Sequence, residues 1–132
     1  MGTVVVGYVP KPEGEAALTA GLAEARLRGA KVVVVSSHRG GPEFDRAKAS
    51  ESEEDLERVR DVLKESGLEF DLRHLVRGFE PAEDLISIAE ANSAELIVIG
   101  LRRRSPVGKL ILGSNAQRVL LDATCQVLAV KS

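Results

Sequence analysis

Five runs of apolar residues along the chain predict β-strands, and they cover residues 3–8, 31–37, 70–76, 95–100 and 126–131. Four of them are almost continuous in Val, Ile, Leu and Ala, which is typical of parallel strands covered by helices on both faces. The run at 70–76 instead alternates apolar and polar side chains. This alternation indicates a half-exposed strand at an edge of the sheet.

Helical periodicity fills the intervals between these runs and predicts four helices: over about residues 12–28 and 50–67, from residue 81 through at least residue 89, and over about residues 114–122. The second helix is predicted to begin at Ser50, because Ser50 and Glu53 fit a capping box. The third begins at Pro81, which suits the first turn of a helix. In the fourth, Leu120 is expected to face the core together with Val119.

Strands and helices therefore alternate along the whole chain. This order predicts an α/β fold with a single doubly wound five-stranded parallel sheet, helices on both faces, and one domain over residues 1–132. In such sheets ligands lie beyond the carboxyl ends of the strands, at the point where the strand order reverses. The segments after the first, second and fourth strands are therefore the places where a site is expected.

Composition narrows the classes of function. The chain has three Phe, one Tyr and no Trp, and its net charge is −2. A chain with so few aromatic residues lacks the stacking platforms of single-stranded nucleic-acid binders, and nothing in its charge favours nucleic acid or an anionic membrane. The single Cys125 suits a reducing compartment, and no apolar run is long enough to span a membrane. We therefore expect a cytoplasmic protein.

One segment is strongly basic. Residues 101–118 carry five Arg and Lys side chains and no acid, and they lead into a helix that begins at Gly113 and Ser114. Free N–H groups at a helix N-terminus, together with Arg and Lys, form an anion site that suits phosphate. The alternative is structural: Gly113 makes a turn, Ser114 caps the helix and the basic side chains face solvent. The pattern alone leaves both interpretations open.

Catalytic patterns are weak. The two histidines, His38 and His74, lie far apart in the sequence. His74 is expected to be a structural residue on a strand face. His38 follows the second strand on the expected ligand side, but no nucleophile and base pair is evident around it. GxGxxG and P-loop motifs are absent, and no spacing suggests a metal site. We expect no catalytic residue, with a slow ATPase as a distant alternative.

The chain resembles the universal stress protein family over its whole length, most specifically in its C-terminal third. The resemblance rests on AELIVIG at residues 94–100, GLRRRSPVGKLILGS at 100–114 and CQVLAV at 125–130. It implies an adenine nucleotide alpha hydrolase-like fold and a homodimer paired through the last strand, Gln126–Lys131. It also implies ATP or AMP binding in one branch of the family and no nucleotide in another.

The nucleotide-binding branch has the pattern Gly-x2-Gly-x9-Gly-Ser/Thr, which this chain matches at Gly100, Gly113 and Ser114 but not at Arg103. By the same resemblance the ligand is expected to contact these four residues and, in addition, Val9, Ser37, Ile99 and Asn115. Val9 stands where binding members carry an Asp that contacts adenine. Arg103 either fills the space of the missing glycine or reaches over the phosphates.

The resemblance thus implies a small dimeric stress-response module that binds an adenine nucleotide or another phosphorylated ligand. A dimeric interaction or scaffold protein without nucleotide is the alternative. Because no aromatic ring stands near the expected base position, ligand recognition should come from backbone N–H groups and from Arg102, Arg103 and Arg104. We therefore expect the site to bind phosphate more firmly than base.

Overall fold

The computed structural model describes residues 2–37, 46–75, 81–102 and 112–132, with the backbone alone at 37 and 46–52. Strands and helices alternate along these ranges. In chain order they are β1 (Thr3–Gly7), α1 (Pro12–Arg28), β2 (Lys31–Ser37), α2 (Arg46–Ser66), β3 (Phe70–Leu75), α3 (Pro81–Ala91), β4 (Leu96–Leu101), α4 (Ser114–Asp122) and β5 (Gln126–Lys131).

All five strands are parallel and lie in the order β3-β2-β1-β4-β5. The strand β1 is central, with Val5 beside Val33 of β2 on one side and Ile97 of β4 on the other. The predicted fold class is confirmed, and so is the edge position of β3. The strand order reverses between β1 and β4, so a crevice opens at their carboxyl ends.

Each face of the sheet carries its own aliphatic core, because successive side chains of a strand point to opposite faces. On one face Val4 and Val6 of β1 pack with buried residues of α1 and α2. On the other face Val5 packs with α3 and with Val119 of α4. Val, Leu, Ile and Ala make up most of both cores, in keeping with the low aromatic content of the chain.

Two local predictions were wrong. Helix α2 begins at Arg46, so Ser50 lies inside the helix rather than at its N-cap. The residues before Ser50 include alanines and basic residues that favour helix, and they extend it upstream. Leu120 is 40% exposed, and Val119 is the buried residue of α4. Adjacent helical positions differ in direction by about 100°, and the narrow contact of α4 with the sheet takes only one of them.

No helix within the described ranges combines the length and the apolar character that a membrane crossing requires.

Candidate functional site

A cleft lies over the point where the strand order reverses. It is bounded by the carboxyl ends of β1 and β4 and by the N-terminal turns of α1, α3 and α4. The cleft consists of two adjoining cavities: an inner one of about 190 Å³ and an outer one of about 300 Å³. Both are lined by Val9, Glu13, Gly100, Asn115 and Ala116.

The inner cavity is mainly apolar. Val35 at the end of β2, Leu85 of α3, Ile99 of β4 and Val119 of α4 contribute its aliphatic walls. Tyr8 lines it as well, so an aromatic ring does stand at this cavity, contrary to the expectation from the sequence. Such a cavity suits a weakly polar group, since apolar pockets with a few polar atoms are the usual form of small-molecule sites. Val9 lines both cavities and is 39% exposed.

The outer cavity lies at the N-terminus of α4. Gly113 is the N-cap, and its carbonyl accepts the first helical hydrogen bond from the N–H of Gln117 at 2.9 Å. The N–H groups of the first turn that precede Gln117 have no acceptor within the helix. Lys11 and Arg102 line the same cavity. Helix dipole, free N–H groups and two cations together make this end of the cleft suitable for an anion.

Two glycines allow close backbone approach around the first turn of α1: Gly100 brings it against β4, and Gly14 brings it against the segment that follows β1. A Cβ atom at Gly100 would lie 1.9 Å from the carbonyl oxygen of Glu13, and one at Gly14 would lie 1.7 Å from that of Val9. Any side chain at either position would therefore collide with backbone. Gly100 thus has a packing role within the chain itself, in addition to lining both cavities.

The inner cavity is supported by a polar cluster beside β1. Tyr8 is 2% exposed, and its hydroxyl donates to Glu15 of α1 at 2.9 Å and accepts from Arg58 of α2 at 2.8 Å. Arg58 also pairs with Glu15. Burial, followed by the hydrogen bond to Glu15, raises the pKa of Tyr8 well above its ordinary value. The phenol therefore stays neutral and ties α1 and α2 to the end of β1.

The structure brings most of the expected ligand residues to the cleft. They are Val9, Ile99, Gly100, Gly113, Ser114 and Asn115. Ser37 is the last residue of β2, but its side chain lies outside the described atoms. Arg103, Arg104 and His38 lie outside the described residues.

Sequence reasoning missed Glu13 and Gly14. Glu13 is the first carboxylate after β1, and Gly14 is a glycine in the first turn of a predicted helix. A glycine at such a place is a weak signal of close backbone approach. Glu13 has no feature in the sequence that relates it to Gly100, because their contact is made only when α1 packs on β4.

The strand order and the cleft define a doubly wound α/β protein with an open cleft at the carboxyl ends of its strands, where such folds bind ligands. The model of the universal stress protein family matches residues 1–131, and the chain belongs to this family.

Individual relatives match this chain over almost their full lengths. A universal stress protein of Mycolicibacterium smegmatis is 42% identical over 131 residues, which are 97% of this chain and 96% of that protein. The structure of a universal stress protein from Archaeoglobus fulgidus is 39% identical with a TM-score of 0.84, and the match covers 99% of each chain. A universal stress protein from A. fulgidus in complex with dAMP is 32% identical with a TM-score of 0.78, over 99% of this chain and 98% of that one.

Proposed function

We propose that the cleft binds an adenine nucleotide, AMP or ATP, and that the protein acts as a nucleotide-binding stress-response module in the cytoplasm. One observation carries the proposal: a mainly apolar cavity shares five lining residues with a second cavity at the N-terminus of α4. A nucleotide has the same division, with a flat base at one end and phosphate at the other.

The charges of the described residues support this orientation. Lys11, Arg102 and the first turn of α4 favour phosphate in the outer cavity. The inner cavity offers aliphatic walls and no charged side chain other than Glu13 at its border. Base binding would therefore rest on apolar packing and on backbone groups, whereas phosphate binding would supply most of the affinity. The dAMP complex of the A. fulgidus relative supports the choice of an adenine nucleotide.

Thermal unfolding with AMP tests the proposal. We expect the melting temperature to rise with AMP concentration, because a ligand that binds only the folded state stabilises it by about 2.7 kcal/mol at 100 times Kd. Isothermal titration with AMP and ATP should give one site per chain. Inorganic phosphate alone is the control and should produce a smaller shift at equal concentration. Flat titrations of AMP and ATP at millimolar concentration would contradict the proposal and favour an interaction module without nucleotide.

We further propose that residues 1–132 form one domain that assembles as a homodimer through β5. This strand lies at an edge of the sheet, where it pairs with β4 on one side. Its four central residues, Val127–Val130, are only half-buried. An unpaired apolar edge strand is a template for pairing with a second chain. Leu121 of the preceding helix is 82% exposed and adds apolar surface at this end of the chain.

Sedimentation velocity checks the assembly. At micromolar concentration we expect a single species of twice the 14.1 kDa mass of one chain. Val127→Lys should shift the equilibrium towards monomer, because a charged side chain on an edge strand opposes pairing. Lys131→Arg, at the exposed end of the same strand, is the matched control and should remain dimeric. A monomer of the unaltered protein at tens of micromolar would contradict a dimer.

A further inference from the structure

We infer that the Glu13 carboxylate selects the sugar of the bound nucleotide by accepting hydrogen bonds from its 2′- and 3′-hydroxyl groups. The inference rests on the nucleotide site proposed above and assigns a specificity role to one residue of this chain.

The position of Glu13 between the two cavities is the first argument. If the inner cavity holds the base and the outer one the phosphate, the sugar must lie at their common border. Of the residues that line both cavities, Val9, Gly100 and Ala116 have no polar side chain. Asn115 is exposed to solvent, whereas Glu13 is only 9% exposed. Among these shared residues, Glu13 therefore presents a buried polar side chain at the border where the sugar must lie.

The chemistry of a carboxylate is the second argument. An ionised carboxylate only accepts hydrogen bonds, so it is matched by a hydroxyl and mismatched by a phosphate oxygen. Arg102 lies beside it, but its Nε is 4.0 Å from Oε2 of Glu13, which exceeds hydrogen-bond length. The carboxylate oxygens thus keep acceptor sites for a ligand. An acid that binds ribose hydroxyls is a recurring solution in dinucleotide-binding α/β folds.

The backbone around Glu13 is the third argument. Its carbonyl oxygen packs against Gly100, and the following Gly14 packs against the carbonyl of Val9. The N–H groups of Gly14 and Glu15 both donate to the carbonyl of Lys11, at 2.9 and 3.1 Å. This turn is therefore held on two sides, and the carboxylate is preorganised at the border, which lowers the entropic cost of binding.

Binding of AMP and of 2′,3′-dideoxy-AMP, measured by isothermal titration, tests the inference. The unaltered protein should bind AMP at least about tenfold more tightly, because a hydrogen bond to a charged group is worth about 1.5–3 kcal/mol. In Glu13→Ala the ratio of the two dissociation constants should fall to about one. In Glu13→Gln it should be intermediate, since an amide oxygen still accepts but carries no charge. If Glu13 acted only by repelling the phosphate, removal of its charge would change both affinities equally and leave the ratio unchanged.

Glu24→Gln is the matched control, because it removes an acid from the same helix away from the cleft, and its ratio should equal that of the unaltered protein. Melting temperatures of all variants establish that they are folded, and Glu13→Gln preserves the shape of the side chain if Glu13→Ala does not fold. If AMP binds and the ratio is the same with and without Glu13, the inference is overturned while the nucleotide site stands. If the unaltered protein binds neither nucleotide, the proposed function fails and the inference fails with it.

Discussion

Replacing Gly100 by alanine is expected to destabilise the protein by about 1–3 kcal/mol or more, as overpacking of a close contact does. The added Cβ would lie 1.9 Å from the carbonyl oxygen of Glu13 and 2.6 Å from its carbonyl carbon. These are backbone atoms, so they cannot move aside by a change of rotamer. The first turn of α1 must then shift away from β4, and both cavities of the cleft change shape. We therefore expect AMP binding to weaken as well.

Urea unfolding at 25 °C measures the loss of stability. Gly7→Ala is the matched control: it places a Cβ on the neighbouring strand β1, where the nearest atom is the tip of the Leu85 side chain at 3.1 Å. A flexible side chain yields by a few tenths of an ångström, so Gly7→Ala should cost less than about 1 kcal/mol. Equal stability of Gly100→Ala and the unaltered protein would show that α1 does not rest on β4 in the way described.

Replacing Gly113 by valine should mainly reduce AMP affinity and leave the stability of the fold almost unchanged, in contrast to Gly100→Ala. Gly113 has φ of −69° and ψ of 163°, an extended conformation that any residue adopts. It makes no side-chain cap, so the change in stability should be about 1 kcal/mol or less. A branched side chain beside the free N–H groups of α4 would, however, keep phosphate at a distance. Loss of two charge-assisted hydrogen bonds corresponds to at least about a hundredfold weaker binding.

Isothermal titration with AMP gives the affinity, and the melting temperature without ligand gives the stability. Gly113→Ala should lie between valine and glycine in affinity, because its side chain is smaller. Leu121→Val in the same helix is the control, since Leu121 is exposed and does not line the cleft. Unchanged AMP affinity in Gly113→Val would place the phosphate elsewhere than at the N-terminus of α4. Together the two glycine variants separate a residue needed for packing from a residue needed for binding.

Most of the fold follows from local pattern. The strand β2 has the bounds that its apolar run predicts, and β5 likewise matches residue by residue. Continuous aliphatic runs that alternate with helical stripes have one common solution, a parallel sheet covered on both faces. The errors occur where two local signals compete. The capping box at Ser50 does not begin α2, because helix-forming residues upstream extend the helix. In α4, Val119 is buried and the adjacent Leu120 is exposed.

The cleft likewise contains residues that local sequence predicted and residues that it did not. The position of Gly113 and Ser114 at the start of α4 was predictable because a helix N-terminus is defined by adjacent residues. Their role in binding a ligand stays a prediction. Val35 lines the inner cavity, whereas the resemblance implied Ser37 as a ligand residue of β2. Which residue of β2 reaches the cavity depends on the register of β2 against β1. The spacing of residues along the chain does not encode this register.

The sequence by itself therefore determined the α/β class, the order of elements and the position of Gly113 and Ser114 at the start of α4, since each depends on side-chain periodicity or on neighbouring residues. Only the tertiary structure decided that Gly100 leaves room for the first turn of α1, and that Glu13 lines both cavities. Gly100 and Glu13 come from different elements, β4 and α1, and they meet through close backbone packing. Such contacts depend on the relative position of whole elements, which no local pattern encodes.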